Sequence, residues 1–314
     1  MSDIIAEKLS TEGIVLSRNL AMVLVALAGV CWASSGVAVQ DFFSRSAKTP
    51  MELTNVRMCV AGFLMLATVI LRGKFKWSAA RLNRRPKLWL YLIIYGIIGI
   101  VMVQFTYFQA ISVGGAAATT VILSATPAMV VIWEALYQRK IPAPVEIFAV
   151  VLAIIGVFLL VTGGDTSKLL VPIACVLWSL ASGASFAFSM VFGKVLFAER
   201  IDPAFLTSVG MCVGGLLTFA LVDEFDWLPF IARDAIFDVA WIIIFGTVTA
   251  FLIFNAGLKF ISAEEAALTG LSEPTSSVVI SYFVFGTAFG LIESAGIILV
   301  LLAILSPVLV KKIA

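Results

Sequence analysis

The amino-acid sequence predicts an all-α integral membrane protein with ten transmembrane helices, arranged as two inverted five-helix repeats around a central cavity. Three observations predict this class: an apolar composition, ten long apolar runs, and a segment that occurs twice. Of 314 residues, 61% are hydrophobic and 13% are charged. Soluble domains are about half apolar and a quarter charged, so this much apolar surface requires lipid as its solvent.

Ten runs are long enough to cross a bilayer, since a spanning helix needs about 20 predominantly apolar residues. Very short joints separate the third run from the fourth and the ninth from the tenth, which indicates antiparallel hairpins. The candidate spans are residues 19–40, 54–71, 88–111, 115–137, 142–162, 169–192, 203–222, 236–258, 264–286 and 291–310.

The distribution of Lys and Arg predicts the orientation of these spans. Residues 72–87 hold seven basic residues and no acidic one, so this loop is predicted to be cytoplasmic. Alternation from that loop places 16 basic residues on the cytoplasmic side and 4 on the other. Both termini are then cytoplasmic, and we expect a multi-pass protein of the cell inner membrane.

One segment of the chain is present in two copies. PMELTNVRMCVAGFLMLA (50–67) and PAFLTSVGMCVGGLLTFA (203–220) are identical at ten of eighteen positions without a gap. Further matches have similar offsets: Trp32 with Trp178, and Pro127 with Pro274. Shared hydrophobicity alone does not explain matched Pro, Met and Cys residues, so the sequence indicates an internal duplication.

The duplication divides the chain into two units. We expect a cytoplasmic tail at 1–18, a first five-helix repeat at 19–162 and a second at 169–310. Because five is odd, the second repeat enters the membrane in the opposite direction. Inverted repeats are frequent in secondary transporters, where two equivalent halves exchange conformations.

Several function classes are disfavoured by composition. The chain has no histidine, and its four cysteines lie in apolar runs without C-x-x-C spacing, so we expect no metal and no cofactor. A net charge of +2 without a basic stripe beside stacking aromatics argues against nucleic acid. No P-loop motif is present, and an intramembrane enzyme would need paired catalytic groups that the sequence does not show. A membrane protein without transport activity is a further alternative.

Three motifs resemble those of EamA-type proteins of the drug/metabolite transporter superfamily: AGVCWASSGVAVQ (28–40), PMELTNVRMCVAG (50–62) and LSEPTSSVVISYFVFG (271–286). The resemblance covers nearly the whole chain, and within the superfamily the sequence is most similar to aromatic amino-acid exporters. It implies ten helices around a cavity lined by the first, third and fourth helix of each half. The Gly-Glu pair that often ends the family's fourth and ninth helices is replaced by Gln138-Arg139 and Gly286-Thr287.

Polar and aromatic side chains inside the spans are the candidates for substrate contact. Trp32 and Trp178 are repeat mates, and each could stack on a ligand or pack between helices. Spacings of three and four residues place serines on one face of the sixth helix, as a cavity wall or as a helix interface. Intramembrane amides face protein or water. The candidates are Trp32, Ser35, Gln104, Tyr107, Ser124, Trp178, Ser182, Ser185, Asn255 and Glu273.

Charged residues and prolines within spans carry separate interpretations. Glu273 could bind a substrate ammonium, carry a coupling proton, or cap backbone groups freed by Pro274. Pro127 and Pro274 are predicted to interrupt the helical hydrogen bonds near mid-span and to act as hinges, or to make packing kinks. Arg57 could snorkel to the interface, pair with an acidic residue or attract a substrate carboxylate. It is interpreted as structural, because the resemblance implies that its helix, the second, is peripheral.

We therefore expect a secondary transporter, not an enzyme, that exports small amphipathic metabolites, foremost neutral and aromatic amino acids. The alternative is an exporter of drugs or of other metabolites such as nucleosides, with proton coupling through Glu273. The expected partners are the small-molecule substrate and membrane lipids.

Overall fold

The computed structural model describes residues 17–138, 141–165, 167–199, 201–222, 225–258, 260–261 and 269–313. These residues form helices and no strand. Most of the predicted tail at 1–18 and the start of the predicted ninth span lie outside the described residues.

The helices follow the predicted spans with several additions. The labels α1 to α6 denote, in order, Arg18–Arg45, Pro50–Leu71, Lys74–Arg84, Lys87–Gly114, Ala116–Leu123 and Thr126–Gln138. The labels α7 to α10 denote Pro144–Thr162, Ile173–Ala198, Pro203–Ala220 and Leu228–Ile231. Helix α11 joins Ile236–Ile243, Ile244–Thr249 and Ala250–Leu258, α12 is Ser272–Phe285, and α13 is Leu291–Ile313.

Eight helices of the described chain are long and apolar enough to cross a membrane. They correspond to the first eight predicted spans. The tenth predicted span contains a shorter apolar helix at Leu291–Ser306, and the described part of the ninth is α12. Large apolar side chains such as Phe63, Leu136 and Phe283 are exposed on the outside of the bundle, as lipid-facing residues are. The chain is a multi-pass membrane protein.

The loops lie at two opposite ends of the helix bundle. Residues 72–87 lie beside the joint between α8 and α9, because Arg85 forms an ion pair with Glu199. At the other end, Arg45, the last residue of α1, pairs with Asp238 at the start of α11. We call the first the basic end and the second the opposite end. Residues 72–87 and 225–235 are therefore separated by the length of the bundle.

The two copies of the duplicated segment pack against each other. Asn55 of α2 donates to the Gly215 carbonyl of α9 (2.8 Å). Seven residues later, a Cβ on Gly62 would lie 2.9 Å from the Met211 Cβ. Residue numbers rise along α2 in the direction in which they fall along α9, so the two helices are antiparallel. Gly62 and Gly215 occupy the same position in the two copies, and a Cβ on Gly215 would lie 2.8 Å from the Cys59 sulfur.

A second close crossing joins α7 and α13. A Cβ on Gly156 would lie 2.7 Å from the Gly296 carbonyl oxygen, and one on Gly296 would lie 2.6 Å from the Gly156 carbonyl oxygen. The two backbones are in direct contact, as small residues allow in membrane helices. This pair also runs antiparallel, because Gly164 meets Ile292 and Gly156 meets Val300.

The loop predicted at 72–87 contains an unpredicted helix, α3. Ser78 and Leu82 are fully buried on one side of it, and the Phe75 ring packs 5.5 Å from the Phe205 ring of α9. Because α3 carries many charged residues, it does not form an apolar run that the sequence would show as a span. Its burial pattern is that of an amphipathic helix beside the bundle.

Candidate functional site

The predicted fourth span is broken at Ser124–Ala125, where a turn separates α5 from α6. Pro127 is the second residue of α6, and it is exposed. Because Pro127 has no N–H, it cannot donate to the Leu123 carbonyl four residues earlier. That carbonyl instead accepts a hydrogen bond from the Thr126 hydroxyl. Pro127 therefore lies in the first turn after a break, whereas the sequence predicted a proline inside a continuous helix.

The corresponding break lies 147 residues later, at Leu271. Residues 269 and 270 are helical, Leu271 forms a turn, and α12 begins at Ser272. Pro274 lies in the first turn of α12, as Pro127 lies in the first turn of α6, but Pro274 is buried whereas Pro127 is exposed. The Ser272 hydroxyl donates to the Ala26 carbonyl of α1 (2.9 Å), which holds this break against α1.

Two π-helical turns also lie at matched positions. They are Ile97–Val101 in α4 and Ile244–Thr249 in α11, and they begin 147 residues apart. Gly99 in the first packs against Ser189 of α8, and Gly246 in the second packs against Ser35 of α1. π turns rearrange backbone bonding and are frequent at functional sites. No signal in the hydropathy pattern indicated them.

Arg57 is bound to the second π turn. Its Nε donates to the Thr247 hydroxyl (2.7 Å), and its Nη2 donates to the Gly246 carbonyl (3.1 Å). The guanidinium is 5.2 Å from the Phe108 ring centroid, and the residue is 4% exposed. Within the described chain, no carboxylate lies within ion-pair distance of it. Arg57 is thus buried in the interior, whereas sequence analysis gave it a peripheral position.

Tyr107 lies at the centre of a group of polar side chains. Its hydroxyl is 3.4 Å from the Thr120 hydroxyl, which also accepts from Ser277 of α12 (3.3 Å). The Tyr107 hydroxyl is within electrostatic range of both the Arg57 guanidinium and the Glu273 carboxylate. We call this group the central polar cluster; its members are Arg57, Tyr107, Thr120, Thr247, Glu273 and Ser277.

Glu273 lies in the first turn of α12, directly after the helix break. Its side chain is half-buried, and across the described residues it has neither a hydrogen-bond partner nor a cation at ion-pair distance. Within the described residues, the Glu273 carboxylate forms no hydrogen bond with the backbone near Pro274. A carboxylate at this depth requires a cation, a proton or water.

The two matched tryptophans lie on separate interfaces. Trp32 packs between Phe251 and Phe254 of α11, at centroid distances of 5.5 and 5.0 Å. Trp178 packs edge-on against Phe105 of α4 at 5.9 Å. Both indoles are half-buried, so each packs between helices and keeps a partly open surface.

The predicted polar candidates divide into bonded and unbonded residues. Ser182 donates to the Val103 carbonyl of α4 (2.9 Å), and Ser124 donates to the carbonyl of Thr120. The Ser182 bond joins α8 to α4, whereas the Ser124 bond is local to the end of α5. Within the described chain, Gln104, Ser185 and Asn255 have no direct hydrogen-bond partner. Gln104 is buried, whereas Ser185 and Asn255 are half-buried.

Two cavities occur at the opposite end of the bundle. One, of about 410 Å³, lies between the end of α1 and the start of α11, beside Arg45, Lys48 and Asp238. The other, of about 200 Å³, lies beside Gln40, Gly115 and Glu293. None of the predicted substrate-binding residues lines either cavity. Those residues instead lie along the helix interfaces at mid-bundle.

Replacing Arg57 with Lys tests the observed role of the guanidinium. Lysine keeps the charge but cannot donate to the Thr247 hydroxyl and the Gly246 carbonyl in the same fixed geometry. We expect a loss of about 2 kcal/mol of stability, since a hydrogen bond from a buried charge contributes roughly 1.5–3 kcal/mol. The measurement is thermal denaturation in detergent. The control is Arg45→Lys, at an exposed ion pair, which should cost under about 1 kcal/mol. Equal losses would contradict the assignment.

Comparison with known proteins agrees with this architecture. The model of the EamA-like transporter family matches residues 19–162 and again residues 173–308. The chain is 29% identical over 291 residues to the uncharacterized inner membrane transporter YicL of Salmonella typhimurium, covering 92% of this chain and 95% of that protein. It is 26% identical to the uncharacterized transporter YwfM of Bacillus subtilis, covering 92% and 94%.

One solved structure, described only as a crystal structure of a protein, superposes with a TM-score of 0.64 at 18% identity, covering 94% of this chain and 99% of that one. This likeness shows a shared fold. The family model spans most of the chain in two successive matches. The protein is therefore a multi-pass membrane transporter that belongs to the EamA-like transporter family.

Proposed function

We propose that this transporter is a secondary exporter of small amphipathic metabolites, foremost neutral and aromatic amino acids, from the cytoplasm across the cell inner membrane. Transport proceeds by alternating access between two inverted five-helix repeats, 19–162 and 169–310, which together make ten transmembrane helices. The observation that carries the proposal is the pair of helix breaks, at Ser124–Ala125 and Leu271, in corresponding positions of the two halves. Matched discontinuous helices are the usual site of substrate binding in repeat-built transporters.

The packing of the helices supports the inverted arrangement. The duplicated segments in α2 and α9 contact each other reciprocally and antiparallel, through Gly62 and Gly215. A two-fold axis in the membrane plane produces such contacts, since it exchanges the two copies and reverses their direction. The matched π turns of α4 and α11 agree with the same axis. Pro127 and Pro274, each beside a break, serve as hinges in this mechanism.

The central polar cluster supports a zwitterionic substrate. It combines one buried cation, Arg57, with one carboxylate, Glu273, both within electrostatic range of the Tyr107 hydroxyl, and no ion pair joins the two charges within the described chain. In the proposed mechanism the Glu273 carboxylate receives the substrate ammonium. The half-open indoles of Trp32 and Trp178 pack against the apolar side chain of the substrate. Gln104, Ser185 and Asn255, which have no direct partner among the described residues, offer hydrogen bonds to its polar ends.

The unpartnered state of Glu273 also favours the second candidate function. In that case Glu273 carries a proton, and the protein is a proton-coupled exporter of drugs or of other metabolites such as nucleosides. A carboxyl group that binds a proton on one side of the membrane and releases it on the other couples substrate export to proton movement.

The experiment that tests the proposal is counterflow in proteoliposomes of the full chain. Vesicles are loaded with unlabelled phenylalanine, leucine, lysine, glutamate or a nucleoside, and uptake of the labelled compound is followed. We expect counterflow for phenylalanine and leucine above that of protein-free vesicles. Counterflow confined to the nucleoside would support the second candidate, and no counterflow of phenylalanine or leucine would contradict the first.

The inverted topology makes a separate prediction. Single cysteines at Asn83 and at Lys168 should react with a membrane-impermeant maleimide from opposite sides of the membrane. Both side chains are exposed, at the basic end and at the opposite end. Labelling of intact cells should modify only the cysteine at 168, while labelling after lysis modifies both. Labelling of both positions from the same side would contradict the proposed topology.

A further inference from the structure

The helix α3 is attached to the second half of the chain by one face. Leu82 and Ser78 are fully buried, and the backbone N–H of Asp202 donates to the Ser78 hydroxyl (3.4 Å). The Arg81 guanidinium donates to the Glu199 carbonyl (2.9 Å). These contacts hold α3 against the joint between α8 and α9, so the helix has a defined position at the basic end.

The other face of α3 is exposed and carries both an aromatic ring and basic residues. Lys76, Trp77, Ala80 and Arg84 have helical spacing on this side, and all are exposed. Trp77 is 45% exposed, and the Arg81 guanidinium lies 3.9 Å above its ring. A helix with one buried face, an exposed tryptophan and basic residues at the ends of spans has the composition of a helix in the headgroup layer.

The positive charge of this surface is not neutralised by the protein. Among the exposed basic residues of 72–87, and within the part of the chain that the structure describes, only Arg85 pairs with a carboxylate, that of Glu199. Within the described chain, Arg72, Lys76, Arg84 and Lys87 have no acidic partner, and all four are exposed. Four such charges around one helix attract the anionic phosphate of a lipid.

We propose that the exposed face of α3, with Arg72, Lys76, Arg84 and Lys87 around Trp77, binds the headgroups of anionic phospholipids at the basic end. The position of these charges indicates that the ligand is a lipid. The charges border spans α2 and α4, whose exposed side chains Leu71 and Leu90 are apolar. A headgroup bound to α3 therefore has its acyl chains against these two helices.

The proposal is tested by lipid binding to the purified full chain, followed by native mass spectrometry in detergent micelles. The probes are phosphatidylglycerol and phosphatidylcholine with the same acyl chains. The variant Lys76→Gln/Arg84→Gln removes two charges from α3. The matched control Lys168→Gln/Arg233→Gln removes two charges from exposed residues at the opposite end. It keeps the same net charge as the α3 variant.

We expect the unmodified chain and the control to retain phosphatidylglycerol in preference to phosphatidylcholine. The α3 variant should bind phosphatidylglycerol roughly 10- to 30-fold more weakly, given the contribution of each basic residue near an anionic surface. Equal weakening in both variants, or equal retention of the two lipids by the unmodified chain, would overturn the proposal. Displacement by millimolar inorganic phosphate at constant ionic strength would also overturn it, because the site would then recognise free phosphate.

Discussion

Glu273→Gln is expected to lower the initial rate of phenylalanine counterflow in proteoliposomes by about 100-fold. The substitution keeps the size of the side chain and removes its negative charge. A charge-assisted hydrogen bond to a substrate ammonium contributes roughly 1.5–3 kcal/mol, and each 1.4 kcal/mol is a factor of ten. Because Glu273 has no protein partner within the described residues, the loss should appear in transport and not in folding.

The matched control is Glu293→Gln. Glu293 lies in the first turn of α13, where its carboxylate accepts the backbone N–H of Gly290 at the opposite end of the bundle. We expect this variant to retain counterflow, and both variants to elute from size exclusion as the unmodified chain does.

Counterflow and pH-driven accumulation separate the two candidate roles of Glu273. Loss of both supports binding of the substrate ammonium. Retained counterflow with lost accumulation in a pH gradient supports the proton-coupled alternative. If Glu273→Gln leaves both rates unchanged, Glu273 takes no part in transport.

Gly296→Ala is expected to lower the melting temperature of the protein in detergent by roughly 2–12 °C. The added Cβ would lie 2.6 Å from the Gly156 carbonyl oxygen and 2.7 Å from the Leu160 backbone nitrogen. Backbone atoms cannot rotate away, so α7 and α13 must move apart. Overpacking of this kind costs typically 1–3 kcal/mol, and each kcal/mol corresponds to about 2–4 °C in a protein of 150–250 residues.

The control for this variant is Gly270→Ala, because no atom of the described residues lies within 4 Å of the added Cβ there. We expect an unchanged or slightly higher melting temperature for the control, since alanine favours helix. Gly156→Ala should resemble Gly296→Ala. The double variant should lose less than the sum, because one separation of the helices relieves both contacts. Equal melting temperatures for Gly296→Ala and Gly270→Ala would show that the crossing tolerates a side chain.

The site residues illustrate which functional inferences a sequence supports. Tyr107 and Glu273 were predicted as site residues because a polar group inside an apolar span costs free energy unless it contacts a partner, water or a ligand. Arg57 was interpreted as a structural residue of a peripheral helix, and nothing in its neighbourhood along the chain indicates the π turn of α11, 189 residues away, which it bonds. Likewise, the spacing of Ser182 left a cavity wall and a helix interface open, and the position of the Val103 carbonyl shows that Ser182 bonds α4.

The sequence by itself determined that this chain resides in a membrane, where its first eight spans lie, and that a segment is duplicated. These properties depend on the composition of each stretch and on transfer of its side chains from water to lipid, which is a local quantity. The tertiary structure decided the helix breaks at Ser124–Ala125 and Leu271, the π turns, the docking of α3 and the surroundings of Arg57. Each of these depends on which backbone carbonyl or side chain a distant helix presents, and hydropathy along one chain does not contain that information.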